Sequence, residues 1–442
     1  MNILNQKLMT TRKLNRFTKM EKNDVIKVFC FDTEIGVLGW DENRAVSFFQ
    51  YHPDFLASNK YINLIPKTLN IPRVKEVQVF KKFNTETFRG LPPIFADSLP
   101  DMFGNIIFKS WLESNNKNFE NISVIEQLAY VSDRGMGAIE YKPKKEIPES
   151  TTINIEEIVE VLKNVLDIKG KTSAEKLNHE SLLNIFKIGT SAGGARPKIL
   201  ISESKTDGRI IPGDISYSKD YEHYLIKLNV DDDLNYNREI IEYSYYLTLT
   251  HCGINMMDSK IIENKHFATK RFDRVGGEKM HILSASGLTG WDFKDPTKST
   301  YENLFELSLF LRLPHSQIEE LFRRMVFNIV FANKDDHLKN HSYIYDKLND
   351  SWNLSPAYDV TYSLNPLVNY KKTSRALSIN NKRINITLQD LKYIAQKYTV
   401  RNYVGIIEEI QSGIQFWRDC ANELDIPIKI IDSISRDFVL LK

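Results

Sequence analysis

Between residues 321 and 359 the chain passes from an apolar helix face into a dense run of polar groups and then into a hairpin; no other feature restricts the possible folds as much. Phe322, Met325, Val326, Ile329 and Val330 fall at i, i+3, i+4, i+7 and i+8, the spacing of a helix with one face in a core. The helix runs into Asn333-Lys-Asp335-Asp336-His337-Leu338-Lys339-Asn340, which puts polar groups directly beside the interior. Tyr343 and Tyr345 then alternate as in a strand, Lys347–Asp350 turns the chain, Trp352–Leu354 returns it, and Pro356-Ala-Tyr-Asp359 follows. A hairpin brings its open ends together, so Asn340 and Asp359 are expected side by side although 19 positions separate them. An amide oxygen and a carboxylate converging there make a hard-oxygen site suited to Mg²⁺ that bridges phosphates.

Asp335 lies five positions before Asn340, giving D-x-x-x-x-N. That is the spacing of the protein-kinase catalytic loop, in which the Asp takes the proton of a substrate hydroxyl and the Asn holds metal. Alone, this pattern arises by chance in many solvated loops; the buried helix, the hairpin and the second Asp give it weight. The pair His337-x-x-x-His341 could suggest zinc, but it lacks the Glu of H-E-x-x-H, and His341 falls at a strand start.

A second element is Gly189-Thr-Ser191-Ala-Gly193-Gly194-Ala195-Arg196-Pro197-Lys198, followed by an apolar strand. Small residues expose backbone N–H groups to phosphate oxygens, and Arg196 and Lys198 add positive charge. The loop begins like a Walker A motif but carries Ala195-Arg196 in place of Lys-Ser/Thr, so spacing alone marks it only weakly. In Tyr224-Leu-Ile-Lys227-Leu, the lysine interrupts an apolar strand. Burying it costs free energy unless its ammonium meets an anion, such as an ATP phosphate; an exposed edge-strand face is the alternative. Glu239 and Glu242 on the following helix are both candidate partners, and the sequence does not choose between them.

Around these motifs the chain divides by texture. Residues 25–80 carry short β-like runs, including Ile26–Phe31 and Val77–Phe80, and Ile106–Leu112 reads as helix. Lys142–Thr152 is charged, carries two prolines and reads as a surface linker. Helices are expected at Ile155–Val165 and Glu175–Phe186, strands at Lys198–Ser202, Tyr224–Leu228 and Phe267–Phe272, and a helix at Arg238–Thr250. Beyond residue 300 the pattern is helical at 301–312, 315–333, 388–398 and 402–423. The expected class is α+β with two lobes, β-rich then helical, joined near residue 272. Four segments follow: a flexible tail at 1–22, an N-terminal subdomain at 23–145, the rest of the N-lobe at 146–272 and a helical C-lobe at 273–442.

Composition narrows the setting. Lys plus Arg number 59 and Asp plus Glu 57, so no whole-chain charge draws the protein to nucleic acid or a membrane. Cys30, Cys252 and Cys420 are widely spaced, which argues against a disulfide framework and for reduced thiols in the cytoplasm. No stretch approaches the ~20 apolar residues of a membrane span. The basic first 22 residues lack the apolar region of a secretory signal, and Met20 is a possible alternative start.

Taken in order, GTSAGGARPKILI (189–201), YLIKL (224–228), ATKRFDR (268–274), NKDDHLKNHSYIY (333–345) and LSPAYDV (354–360) resemble the motifs of HipA-type serine/threonine kinases. GLPPIFADSLPD (90–101) and DRGMGAIEY (133–141) resemble that family's N-terminal subdomain, so the similarity covers about residues 27–400. The resemblance implies a protein-kinase-like fold with ATP and Mg²⁺ as cofactors. It makes Asp335 the catalytic base, and Asn340 and Asp359 the metal ligands. It places His337, Lys339 and Tyr358 at the nucleotide, Lys227 and the loop Gly193, Gly194, Ala195, Arg196, Pro197 and Lys198 on the phosphates, and Lys270, Arg271 and Phe272 at an adenine-reading hinge. Ser191 matches a serine that the family autophosphorylates to switch itself off. The implied partners are a HipB-like helix-turn-helix antitoxin, operator DNA bound mainly through it, and a protein substrate such as an aminoacyl-tRNA synthetase, with growth arrest on overexpression. Lys371, Lys372, Lys382 and Arg383 could touch DNA phosphates, but a solvated face suits them better.

Three positions depart from the family pattern. Asp336 adds a second carboxylate beside the base, Lys270 stands where some relatives have Glu, and Asn381 replaces a common glycine at what would be a left-handed turn. None removes a catalytic group. Two other readings share these motifs: a nucleotide-binding co-regulator of the antitoxin with little catalysis, and a kinase for a small molecule.

Overall fold

The structure is a computed structural model that describes residues 25–66, 71–100, 102–114, 116–144, 154–167, 196–213, 218–230, 235–369 and 373–441. An antiparallel five-stranded sheet, ordered β4-β3-β2-β1-β5, opens the chain. Its strands are β1 (Val25–Cys30), β2 (Thr33–Asp41), β3 (Val46–Tyr51), β4 (Gln78–Phe80) and β5 (Ile139–Lys142). Helices α1 (Met102–Ser114) and α2 (Val124–Val131) lie between β4 and β5. After α3 (Ile155–Asp167), a second antiparallel sheet follows in the order β7-β6-β8-β10-β9. It comprises β6 (Lys198–Ser204), β7 (Ile210–Pro212), β8 (Tyr221–Lys227), β9 (Ser259–Ile262) and β10 (His266–Lys270), with α4 (Arg238–His251) between β8 and β9. A small hairpin, β11 (Arg274–Val275) and β12 (Glu278–Lys279), leads out of this lobe.

In the helical lobe, β13 (His281–Ser284) pairs with the hairpin β14 (Ser342–Asp346) and β15 (Ser351–Leu354). Around this small sheet stand α5 (Tyr301–Phe310), α6 (His315–Val330), α7 (Leu388–Lys397), α8 (Tyr403–Glu423) and α9 (Ile428–Ser435). The architecture is thus a bilobal, kinase-like α+β fold, as expected. The expected helix at Glu175–Phe186 lies outside the described residues. The expected strand through Phe272 stops at Lys270, although the Arg271 N–H still bonds the His223 carbonyl opposite it (2.8 Å); the Arg271 side chain folds onto Asp273. β13 went unforeseen: at four residues it is too short to show a period. Helix α9 was missed as well.

What fixes the polar loop is the packing of α6. Ile318, Leu321, Phe322, Met325, Val326, Phe327, Ile329 and Val330 are all buried on it. Each such side chain stabilises by roughly 1.5–3 kcal/mol relative to exposure, so the end of α6 is set by the core more than by the loop's own hydrogen bonds. Ala332 then turns the chain at φ +53°. A second core sandwiches α1 (Phe108, Trp111, Leu112) and α3 (Ile158, Val159, Leu162) against Ile199, Ile201, Ile226 and Ala268 of the second sheet.

The first segment grips the helical lobe at named points. Asp97 accepts from the N–H (2.8 Å) and hydroxyl (2.7 Å) of Ser284, and a Cβ on Gly287 would sit 2.5 Å from its carboxylate, so glycine is required there. Trp352 Nε1 donates to the Asn63 carbonyl at 2.8 Å, which docks the β14–β15 hairpin. The Gly137 N–H donates to Asp273 at 2.8 Å, tying the DRGMG loop to the connection between lobes.

Candidate active site

Lys227 ends β8, directly opposite Lys198 on β6 and Phe267 on β10. Both lysines are buried, so the edge-strand reading of Lys227 does not hold. Its ammonium donates to Glu242 Oε1 at 2.6 Å and also pairs with the carboxylate of Asp359. The choice left open in the sequence is therefore decided for Glu242, which is completely buried. Glu239, one helical turn earlier, makes no ion pair among the described residues, and burial pushes its pKa up against the charge of Arg196. Helix α4 holds Glu242 in place through its N-cap: Asn237 Oδ1 accepts from the N–H groups of Glu239 (2.8 Å) and Ile240 (3.1 Å).

Electrostatics reinforce the arrangement. Burial alone would lower the Lys227 pKa, but Asp359 and Glu242 outweigh it and leave the ammonium more firmly protonated than usual. Burial likewise works against the Asp359 carboxylate, yet Lys227 and then Lys198 hold it well below the ordinary range. Asp359 adopts φ +57°, a left-handed conformation that costs a non-glycine residue roughly 1–2 kcal/mol. Its surroundings must over-determine it, as is common where a carboxylate is aimed at a function.

The catalytic-loop candidates are locked by backbone. The Asp335 carbonyl accepts from the His337 N–H (2.9 Å) and from Asn340 Nδ2 (2.9 Å), and the Asn340 N–H donates to the His337 carbonyl (2.8 Å). With its amide nitrogen so committed, Asn340 has its side-chain oxygen available for a cation. Asp335 is exposed at the cleft. Partial dehydration, with help from the charges of Asp359 and Asp336 and against that of His337, raises its pKa above the usual carboxylate value. A raised pKa suits a group that must both take and release a proton.

Asp336 is a second carboxylate whose charge reaches the base, as expected, but its side chain is committed to the interior. It points into the core, where it accepts from Tyr301 (2.6 Å) and pairs with buried Arg375 (2.8 Å). The Ala376 N–H donates to the Lys334 carbonyl (2.8 Å), so both neighbours of Asp335 are clamped by one segment. His341 is buried edge-on to Tyr301, whereas His337 lies against Phe293 with ring centroids 4.9 Å apart. Among the described residues no group of three or more His, Cys, Asp or Glu is placed to hold a metal by itself.

On the opposite wall, Phe272 and Tyr358 have ring centroids 5.8 Å apart, and the Tyr358 hydroxyl donates to the Lys339 carbonyl at 2.7 Å. Lys339 extends its ammonium over Phe293, 5.8 Å from the ring centre. At the hinge, the side chains of Lys270 and Arg271 turn away, to Glu222 (2.6 Å) and Asp273 (2.7 Å) respectively. Their N–H groups are used by Asp258 (2.9 Å) and His223 (2.8 Å), so among the described residues the Phe272 N–H is the donor of this trio with no partner. Asp273 itself was missed in the sequence, although it directly follows the hinge motif.

Ser191, Gly193, Gly194 and Ala195 lie outside the described residues, as do Lys371 and Lys372. The end of the phosphate loop is held by the Leu228 N–H, which donates to the Pro197 carbonyl at 2.9 Å. Among the described residues the buried Arg196 Nη1 has no hydrogen-bond partner. Lys382 pairs with Asp390 (2.8 Å), and Arg383 donates to carbonyls including Pro296 (2.6 Å) and Ser299 (2.9 Å); both serve the fold. Asn381 takes φ +60°, the turn expected where relatives carry glycine. All three cysteines are free and buried, and no described helix is long and apolar enough to cross a membrane.

The chemistry of this donor set fits a magnesium nucleotide. Lys198 and Lys227 face each other with Glu242 and Asp359 beside them, and a carboxylate with an amide oxygen is the sparse protein ligation that Mg²⁺ takes when phosphates complete its shell.

Comparison with known proteins gives a consistent result. A sequence model of the HipA-like C-terminal domain matches residues 190–417, and one of the HipA N-terminal domain matches residues 26–142. The chain is 26% identical over 179 residues to Y4dM of Sinorhizobium fredii, provisionally named a kinase. That match takes in 39% of this chain and 43% of the relative, so it spans less than half of the relative's length. Among solved structures, the chain is similar to one from the Shewanella oneidensis MR-1 toxin–antitoxin complex of HipA, HipB and operator DNA. The two share 16% identity over 93% of this chain and 97% of the other, with a TM-score of 0.62, a likeness of fold.

Proposed function

The chain belongs to the HipA family, and on that premise we propose that it is an ATP- and Mg²⁺-dependent serine/threonine protein kinase, the toxin of a toxin–antitoxin pair. The observation that carries the proposal is the buried Lys227, held between Glu242 on α4 and Asp359 beside the catalytic loop. This joins the two lobes through one ammonium, the arrangement a kinase needs to grip nucleotide phosphates.

When bound, magnesium ATP supplies the phosphoryl group and neutralises its developing charge. Lys227 and Lys198 receive the phosphate oxygens, and Glu242 keeps Lys227 aimed at them. Asp359 and the Asn340 amide oxygen hold the cation. Asp335 takes the proton from the acceptor hydroxyl, a contribution typically worth ~10²–10⁴ in rate. Phe272 and Tyr358 would line the base's site, and the Phe272 N–H would be a donor available to it.

The acceptor is a protein serine or threonine, with an aminoacyl-tRNA synthetase as the candidate class. Ser191 is the site of self-modification: a phosphoserine there would compete for the position of the nucleotide's own phosphates. A HipB-like antitoxin is the partner, and operator DNA is reached mainly through it, since Lys382 and Arg383 are occupied within the fold.

The test is labelling with γ-labelled Mg·ATP. Wild type should label Ser191 and a small set of lysate proteins, whereas Asp335→Ala and Asp359→Ala should label neither. Expression of wild type but not Asp359→Ala should arrest growth. Equal toxicity of the two, with no labelled protein, would defeat the proposal.

A further inference from the structure

The loop that carries Asp335 is tied down unevenly. Its internal bonds, from the His337 N–H and Asn340 Nδ2 to the Asp335 carbonyl and from the Asn340 N–H to the His337 carbonyl, all lie on the C-terminal side of Asp335. The N-terminal side is held from elsewhere in the chain. The Lys334 N–H donates to Ser363 Oγ (3.0 Å), the Lys334 carbonyl accepts from the Ala376 N–H (2.8 Å), and the Asn333 carbonyl accepts from Arg375 Nη2 (3.2 Å). The same Nη2 donates to the Asp336 carboxylate at 2.8 Å. One guanidinium nitrogen therefore bridges the residues on either side of the Lys334–Asp335 pair.

This bridge is part of a closed ring. The Tyr301 hydroxyl donates to the Asp336 oxygen that Arg375 holds (2.6 Å) and accepts from Asn328 Nδ2 (3.0 Å). Asn328 Oδ1 in turn accepts from Asn333 Nδ2 (3.0 Å), which returns to Arg375 through the Asn333 carbonyl. All five side chains are buried, so a shift of one member is opposed by the others. Arg375 stands on a braced turn: its N–H donates to the Arg383 carbonyl (3.0 Å), and the Arg383 guanidinium donates to the carbonyls of Arg375 (3.2 Å) and Ser299 (2.9 Å). A buried ion pair adds little net stability over apolar groups of equal volume. What the planar fork of an arginine does fix is direction.

We propose that Arg375 is a positioning residue for Asp335: by holding Asn333 and Asp336 it sets where the Asp335 carboxylate meets the acceptor hydroxyl. The inference rests on the reading of Asp335 as the base of a kinase. Among the described residues no hydrogen bond or ion pair joins Arg375 to Lys227, Asn340 or Asp359. Its loss should thus slow phosphoryl transfer more than it weakens nucleotide binding.

The experiment uses the full chain with Asp336→Asn and Arg375→Met combined, which removes both charges together and leaves neither buried alone. On the alkaline plateau of the pH profile, kcat should fall about 10–100-fold while KM for Mg·ATP stays within about threefold, the signature of a misplaced reacting group. The urea midpoint should stay near that of wild type. Amide hydrogen exchange over residues 334–340, which needs no turnover, should speed up at least about tenfold through local opening. Arg375→Lys alone keeps the charge without the fork and should fall between the two in both readouts; it also serves if the double variant does not fold. Wild-type kcat in a folded variant, exchange over 334–340 equal to wild type, or a rise in KM that carries the whole loss of kcat/KM would each overturn the inference. If wild type itself labels no protein, the kinase reading is what fails, and exchange alone decides whether Arg375 holds the loop.

Discussion

Asp273→Asn is the substitution that most sharply tests how the lobes are joined. The Asp273 carboxylate accepts from Arg271 Nε (2.8 Å) and Nη2 (2.7 Å), from Arg274 Nη1 (2.7 Å) and from the Gly137 N–H (2.8 Å). All three side chains are at most 1% exposed. Asparagine keeps the shape and removes the charge that two buried guanidiniums face. Removing one partner of a buried pair costs about 3–5 kcal/mol, a large share of the ~5–15 kcal/mol that holds a typical domain together. The measurement is urea unfolding followed by tryptophan fluorescence. Although burial works against it, Arg271 and Arg274 hold the Asp273 pKa well below the ordinary carboxylate value. Its contribution is therefore fully present above the unfolded pKa of ~3.9 and lost only as pH falls through the lower folded value. The difference between wild type and variant should be constant from pH 8 to pH 5. Adding Arg271→Met to Asp273→Asn should recover stability, because it removes one of the two buried positive charges that faced Asp273. A loss below ~1 kcal/mol, the range of an exposed pair, or a double variant weaker than the sum of the singles, would refute the reasoning.

Two further predictions concern protons. As the proposed base, Asp335 must be ionised, and its raised pKa should move the acid limb of the kcat profile upward from the usual carboxylate value. Asp336→Asn removes one of the charges that raise it and should move that limb to lower pH; an upward move or none would contradict the electrostatic account. Burial lowers His223 and His266 to about 4, and His281 and His341 to about 3. Neutral in the fold, they contribute stability above the unfolded histidine pKa of ~6.5 and lose it as pH falls, by about 1.4 kcal/mol per pH unit for each. His281, packed edge-on to Tyr345 and Trp352, has both ring nitrogens without partners. His281→Phe should leave stability at pH 7 unchanged or higher and flatten its fall toward pH 5, as read from urea midpoints.

The catalytic loop was legible because its signals are local. A period of 3.6 ending in polar residues marks where a buried helix releases the chain, and a hairpin of known length brings residues 340 and 359 together. The lysine of YLIKL could be flagged as an ammonium in need of an anion, since an apolar strand does not tolerate it otherwise. Its partner could not be named: Glu239 and Glu242 lie three residues apart on one helix, and a small rotation of α4 decides which faces β8. The partners of Asp336 were hidden for a related reason. Adjacent residues in a loop share no periodicity, so nothing local said that its side chain turns inward to Arg375, 39 positions away. Asp97 and Asp273 carry no pattern of their own, because their partners come from Ser284 and from the two arginines and Gly137.

By itself, the sequence determined the kinase-like class, the order of the motifs, the candidate base and metal ligands, and a left-handed turn at Asn381. Each depends on contacts within a few residues or across one hairpin. Only the tertiary structure decided that Glu242 answers Lys227, that Asp336 pairs with Arg375, and that the hinge side chains serve the fold. These outcomes are set by how α4, the second sheet and the helical lobe pack together, and packing is a property of surfaces far apart in the chain.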